Sequence, residues 1–148
     1  MRVLVQRVKK AKVRVSGNNI AEIGSGLLLF VGIGKSDTED DIAYTSRKVA
    51  NLRIFNDQND KMNLNLNQVE GQILSVSQFT LYADTNKGNR PGFDQSADPD
   101  TARKYWVKFN ELLREKGLDV KEGEFGASME VDLVNDGPVT IWISSDSK

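Results

Sequence analysis

Apolar and polar residues alternate along the first third of the chain with the period of two that is typical of β-strands. Residues 2–8 and 11–15 each predict a strand, and the Gly-Asn-Asn of residues 17–19 predicts a hairpin turn into residues 20–23. Residues 27–33 (LLLFVGI) lack this alternation and are nearly all apolar. They predict a central strand that is buried on both faces.

Arg7 lies in the first predicted strand on the same face as Val3 and Val5. A buried guanidinium is costly unless its donors are paired. Two interpretations stay open: the stem packs while the charged head reaches water, or the guanidinium binds main-chain carbonyls in a closed environment.

Two stretches predict helices. Ser36 and Glu39 have the spacing of a capping box, which predicts a helix to about residue 51. Asp98 as a cap, Pro99 at the first helical position and Gly117 at the end predict a second helix. Its inward stripe comprises apolar and aromatic residues, namely Ala102, Tyr105, Trp106, Phe109, Leu112 and Leu113.

The last third is again rich in strand patterns. Residues 125–133 alternate strictly, and residues 139–144 predict a closing strand. The Asn-Asp-Gly-Pro of residues 135–138 between them is interpreted first as a turn. Together with weaker patterns at 53–55 and 120–124, the chain predicts six to eight strands and two helices in a single domain over residues 1–148.

Residues 72–84 (QILSVSQFTLYAD) begin as a buried strand and then change phase. Leu74 and Val76 share one parity, whereas Phe79 and Leu81 have the other. A strand absorbs such an odd step only through a bulge, a bend or the end of pairing. The phase change alters the direction of three polar side chains, those of Ser77, Gln78 and Thr80. They either point into water or form the polar part of a site.

Residues 85–98 follow with no periodicity, and unstructured loops of this length in compact domains are often functional. Lys87 and Arg90 make the loop locally basic.

The composition narrows the possible chemistry. The 148 residues include no cysteine and no histidine, which removes thiolate nucleophiles, Ser-His-Asp triads and zinc sites of the usual kind. The net charge of −1 argues against a broad nucleic-acid-binding surface. No signal peptide or membrane span is predicted, so a cytoplasmic protein is expected.

Several segments together resemble the D-aminoacyl-tRNA deacylase family along essentially the whole chain. They are SVSQFTLYAD, NDGPVT, MRVLVQRV, RIFND with KMNLN, and RPGF. The resemblance and the predicted elements imply an α+β fold of mostly antiparallel, barrel-like β layers with two helices packed on one side. The resemblance further implies a homodimer without a metal or cofactor.

The resemblance also implies roles for individual residues. A Gly-cisPro motif falls on Gly137 and Pro138, and it enters the pocket of the other subunit. Arg7 holds that motif in orientation. The substrate-pocket positions fall on Ser77, Gln78, Phe79, Thr80, Leu81, Phe125 and Met129.

The implied reaction is hydrolysis of the ester of D-aminoacyl-tRNA, with glycyl-tRNA poorly excluded and the ribose 2′-OH assisting. Thr80 has no histidine to activate it, which favours a positioning role over a nucleophilic one. The implied partner is the acceptor end of aminoacyl-tRNA, with no membrane and no DNA. The alternative is a module that binds aminoacyl-tRNA or D-amino acids without catalysis. Candidate tRNA contacts are the basic residues Lys9, Lys10, Lys12, Arg14, Lys87 and Arg90.

Overall fold

The computed structural model describes residues 1–148, apart from the side chain of Ser147. In these residues the strands are β1 (Arg2–Val15), β2 (Asn18–Ile23), β3 (Gly26–Gly32), β4 (Phe55–Asn56), β5 (Met62–Leu64), β6 (Gln72–Ser77), β7 (Asp119–Glu122) and β8 (Glu130–Ser144). The α-helices are α1 (Glu39–Ala50) and α2 (Pro99–Glu115), and short 3₁₀ helices span Phe79–Tyr82 and Ser145–Ser147.

A six-stranded sheet forms the frame of the molecule, in the order β2-β1-β3-β6-β7 with β8 also paired to β1. The long strand β1 pairs with β3 through its first half, with β2 through its second half, and with β8 along nearly its whole length. All pairs are antiparallel except β3–β6 and β6–β7. This confirms the predicted α+β fold with a mostly antiparallel, barrel-like sheet; the homodimer stays a prediction.

The two faces of the sheet carry separate cores. One face packs against both helices, because Val3, Val5 and Leu29 lie in one buried cluster with Ile42 of α1 and Phe109 of α2. On β3 and β6, the residues that alternate with this cluster belong to a second, smaller one. Its members are Leu28, Leu74 and Val76, with Val8, Ala11 and Val13 of β1 and Ile23 of β2. The prediction that both helices pack on one side is therefore confirmed. Neither described α-helix is long and apolar enough to cross a membrane.

The helix ends follow local capping chemistry. Asp98 accepts hydrogen bonds from the main-chain N–H groups of Asp100 (3.1 Å) and Thr101 (3.0 Å), as predicted for α2. The capping box predicted for α1 at Ser36 and Glu39 is wrong by two residues. Thr38 is the cap, and its N–H donates to the Asp41 carboxylate over 2.8 Å, because Thr-x-x-Asp offers the same reciprocal geometry.

Two strand predictions are also wrong. Residues 2–8 and 11–15 form one continuous strand, and residues 125–129 precede β8 as a loop. The predicted turn at residues 135–138 is a bulge inside β8. Gln6 pairs with Thr140 and Val8 with Asn135, so β8 advances five residues while β1 advances two. The sequence is locally that of a turn, but pairing with β1 keeps both flanks in one strand.

Candidate active site

A cavity of about 470 Å³ opens where β6 ends. Its walls are mostly apolar and come from the ends of β3 and β6, the start of α2 and the loop before β8. Five of the predicted site residues line it, namely Ser77, Gln78, Phe79, Phe125 and Met129. The cavity lining is therefore mostly apolar. Its polar side chains include Ser77 and Gln78, which lie where the alternation of the strand changes phase.

The phase change marks the end of strand pairing. β6 stops at Ser77, the N–H of Gln78 donates to the carbonyl of Val31 over 2.7 Å, and the 3₁₀ helix Phe79–Tyr82 begins. The N–H groups of Phe79 and Thr80 have no acceptor among the described residues. The Phe79 N–H thus belongs to a residue of the cavity lining and the Thr80 N–H to the residue that follows it.

The predicted residues of the 3₁₀ helix differ in exposure. The Phe79 side chain is 54% exposed and meets Phe93 edge to face, with ring centroids 5.0 Å apart. Thr80 is exposed, and its hydroxyl accepts a hydrogen bond from the Gln78 amide. Leu81 is half-buried. Thr80 and Leu81 do not line the cavity.

The Phe125 wall of the cavity is supported by residues to which the sequence pattern assigned no role in the site. The Phe125 and Trp106 ring centroids are 5.8 Å apart, and the Arg103 guanidinium carbon lies 4.7 Å from the Phe125 centroid. The Trp106 indole N–H donates to the buried hydroxyl of Ser75 over 2.9 Å, and the Ser75 carbonyl accepts from the Gly123 N–H. The spacing of Trp106 indicated core only, so its polar link to Ser75 left no signal in the sequence.

Gly137 and Pro138 lie exposed in the bulge of β8, and the peptide bond between them is cis. Arg7 fastens this bulge: its Nε donates to the Asp136 carbonyl (3.1 Å) and its Nη1 to the Ile54 carbonyl (2.6 Å). Arg7 is only 8% exposed, so it binds main-chain carbonyls rather than reaching water. These residues do not line the cavity of their own chain.

Asn135 also stabilises the bulge, through hydrogen bonds from its side-chain amide. Its Nδ2 donates to the carbonyls of Arg7 (2.9 Å) and Val139 (3.0 Å), which replaces the ladder bonds that the bulge interrupts. Asn135 therefore stabilises the NDGPVT motif to which it belongs. The sequence alone did not assign this role to Asn135.

The basic candidates fall into two groups, one on β1 and one on the loop after the 3₁₀ helix. Lys9 and Lys10 are exposed on β1, and Lys87 and Arg90 are exposed on the loop after the 3₁₀ helix. Lys12 is half-buried. The guanidinium of Arg14 pairs with Glu130 and Asp132, each at 3.0 Å, so its charge is offset within the chain. The described side chains form no group of three or more acidic residues placed to hold a metal ion.

The family model described as "D-Tyr-tRNA(Tyr) deacylase" matches residues 4–144. The chain belongs to this family. It is 55% identical over 149 residues to a D-aminoacyl-tRNA deacylase of Staphylococcus saprophyticus, covering 100% of this chain and 99% of that protein. The predicted family is confirmed, and the chain is accordingly an enzyme of the deacylase class, a hydrolase.

Two solved structures resemble this chain. One, described as "c-Myc DNA Unwinding Element Binding Protein", has a TM-score of 0.92 and 40% identity, covering 98% of this chain and 99% of that chain. The other, described as a probable eukaryotic D-amino acid tRNA deacylase, has a TM-score of 0.82, with 96% and 97% covered. At 18% identity, the second likeness concerns the fold alone.

Proposed function

We propose that this protein hydrolyses the ester bond of D-aminoacyl-tRNA, releasing free tRNA and the D-amino acid. The observation that carries the proposal is the coincidence of a family match over residues 4–144 with a cavity lined by Ser77, Gln78 and Phe79. The cavity receives the aminoacyl group, and the acceptor end of the tRNA remains outside it. We propose no DNA or membrane partner and a cytoplasmic location, where aminoacyl-tRNA is found.

The chemistry requires little from side chains. Water adds to the ester carbonyl carbon, the bond from that carbon to the ribose oxygen breaks, and the ribose oxygen takes the proton. The N–H groups of Phe79 and Thr80 stabilise the oxyanion, which their lack of other acceptors among the described residues supports. The neighbouring ribose 2′-OH assists the attack of water, so the assisting hydroxyl comes from the tRNA and not from a protein side chain. Thr80 positions the ester rather than attacking it, since the chain has no histidine to activate its hydroxyl.

Stereoselection comes from the Gly137–Pro138 segment of a second subunit. Its carbonyls hold the substrate amino group and crowd the space that an L side chain needs, whereas D side chains project outward. Glycine has no side chain to exclude, so glycyl-tRNA is also a substrate. The exposure of this bulge and its absence from the lining of its own cavity support a role in a partner's site.

The direct test is incubation of D-tyrosyl-tRNA and L-tyrosyl-tRNA with the protein in the presence of a chelator, followed by measurement of free tyrosine. We expect rapid release from the D ester and little release from the L ester, with glycyl-tRNA also cleaved. Binding of D-tyrosyl-tRNA without release would instead identify the non-catalytic binding module. A tRNA that ends in 2′-deoxyadenosine should be cleaved far more slowly than the normal substrate.

The shared site is tested by mixing two inactive variants. Gly137→Val damages the bulge, and Phe125→Ala damages the cavity wall. In a mixed dimer, one cavity is intact and faces an intact bulge, so unfolding and refolding the two variants together should restore activity that neither regains alone. Failure to restore activity in a sample that light scattering identifies as dimeric would contradict the composite site.

A further inference from the structure

Gly32, the last residue of β3, and Gly34, just beyond it, form the surface on which the 3₁₀ helix Phe79–Tyr82 lies. A Cβ added at Gly34 would stand 2.7 Å from both Cζ and Oη of Tyr82. One added at Gly32 would stand 3.1 Å from Cβ of Leu81 and 3.0 Å from the Gln78 carbonyl oxygen. Such close approach is open only to glycine, so the helix is fitted to this strand end through the ring of Tyr82.

Polar contacts hold the Tyr82 ring in place. Its hydroxyl donates to Oδ2 of Asp37 over 3.3 Å, and the same oxygen accepts from the Gly34 N–H over 2.6 Å. The Arg2 guanidinium lies 4.3 Å above the ring centroid and donates to the Leu81 carbonyl over 3.0 Å. Burial, with the negative charge of Asp37 beside it, raises the pKa of the Tyr82 hydroxyl, so the group remains a donor throughout the physiological range.

The contacts of Tyr82 bear on the proposed hydrolysis, because they hold in place a helix that contributes to the cavity lining. Phe79 lines the cavity three residues before Tyr82, within the same short helix. Tyr82 itself lies outside the lining, and only 6% of its surface is exposed. It therefore does not contact the aminoacyl group, and its effect on the reaction is through the residues that it holds in place.

We infer that Tyr82 is a positioning residue: seated on Gly32 and Gly34 and held by Asp37 and Arg2, it fixes where Phe79 and Thr80 stand relative to the substrate ester. This inference rests on the proposed deacylase function. A displaced segment costs rate more than affinity, because only Phe79 of the apolar lining belongs to it and the other walls, such as Phe125 and Met129, remain in place.

The test compares Tyr82→Phe with Tyr105→Phe, a matched hydroxyl deletion on α2. The first keeps the ring on the glycines but deletes the bond to Asp37. We expect kcat for D-tyrosyl-tRNA to fall about tenfold while KM changes by less than about twofold. The control should keep the parent values. A kcat equal to that of the control, or a rise in KM alone, would overturn the inference.

A second pair of variants separates positioning from general destabilisation. Gly34→Ala should lower kcat in the parent, because its new Cβ pushes the ring away. It should have little further effect in a Tyr82→Ala background, where the obstructing ring is absent. Equal loss of kcat in both backgrounds would contradict a route through Tyr82.

Amide exchange distinguishes failure of this inference from failure of the proposed function. If the parent releases no D-amino acid, the deacylase proposal fails, and hydrogen–deuterium exchange of residues 78–83 then decides the role of Tyr82. Faster exchange in Tyr82→Phe than in Tyr105→Phe supports positioning. Equal exchange overturns it.

Discussion

The Nε of Arg7 donates to the carbonyl oxygen of Asp136 over 3.1 Å, which ties the middle of β1 to the bulge in β8. The same guanidinium reaches the carbonyl of Ile54 over 2.6 Å, at the entrance to β4. One buried side chain thus joins three segments that are distant in sequence. A planar group with several fixed donors suits this task, whereas the ammonium of lysine offers its donors from a single point.

Replacement of Arg7 by methionine should destabilise the fold. The Ile54 carbonyl would lose a buried donor and the Asp136 carbonyl a partly buried one, and we expect the free energy of unfolding to fall by about 3 kcal/mol. Urea denaturation measures this. Arg53→Met is the control, since Arg53 also donates to a main-chain carbonyl, that of Asn63, but is exposed. Equal losses for the two variants would argue against a buried role for Arg7.

Replacement of Gly137 by alanine should impair both activity and stability. Gly137 has a φ of +124°, and a Cβ there would lie 2.8 Å from Cγ2 of Val139 and 3.0 Å from Nη2 of Arg7. Gly17→Ala is the control, because its φ of +79° is also positive but nothing lies within 4 Å of the new Cβ. We expect Gly137→Ala to cost about 1–3 kcal/mol more than the control in denaturation. Only the variant at Gly137 should lose hydrolysis of D-tyrosyl-tRNA.

Much of the fold is predictable from local pattern. The period-two stretches locate most strands, and Asp98-Pro99 with Gly117 locates α2, because capping and alternation act over a few residues. The phase change at Ser77–Gln78 also locates the cavity. That signal is physical, since a strand cannot change parity and continue pairing unchanged.

The errors arise where distant pairing overrides local preference. Asn-Asp-Gly-Pro is a good turn sequence, yet it lies within β8 because both its flanks pair with β1. No local feature specifies that β6 runs parallel to β3 and β7. Likewise, the bond from Trp106 to Ser75 joins residues 31 positions apart. Such relationships depend on the assembled sheet and not on the pattern of any one segment.

Replacement of Thr80 by alanine should leave substantial activity. Its exposed hydroxyl contacts Gln78 and has no histidine in the chain to activate it, so its loss should lower kcat by no more than about tenfold. Single-turnover release of D-tyrosine measures this. Complete loss of activity, together with an acyl-enzyme trapped on the parent and detected by mass spectrometry, would identify Thr80 as a nucleophile instead.

Replacement of Ser75 by alanine should weaken the Phe125 wall. The buried Trp106 N–H would lose its acceptor, and we expect unfolding free energy to fall by about 1–3 kcal/mol. Ser46→Ala is the matched control, because Ser46 is equally buried but donates to Ala43 within its own helix. The control deletes the same atom without leaving an indole donor unpaired. KM for D-tyrosyl-tRNA should rise only in Ser75→Ala.

Asp41 should make stability depend on pH in acid. Burial would raise the pKa of its carboxyl, but hydrogen bonds from Lys148 and Thr38 outweigh burial and hold that pKa well below its usual range. A carboxyl whose pKa is lower in the folded state stabilises the fold at pH values above its unfolded pKa, about 4. That contribution is lost as pH falls from about 5 toward the folded pKa.

Asp41→Asn tests this, because asparagine can still accept from the Thr38 N–H but cannot pair with Lys148. The variant should be less stable than the parent at pH 7, and the gap in unfolding free energy should narrow steadily between pH 5 and pH 3, by the linkage of proton binding to folding. Asp40→Asn, an exposed neighbour on the same helical turn, should follow the parent over the whole range. A gap that stays constant with pH would contradict a contribution from the charge of Asp41 to the free energy of unfolding.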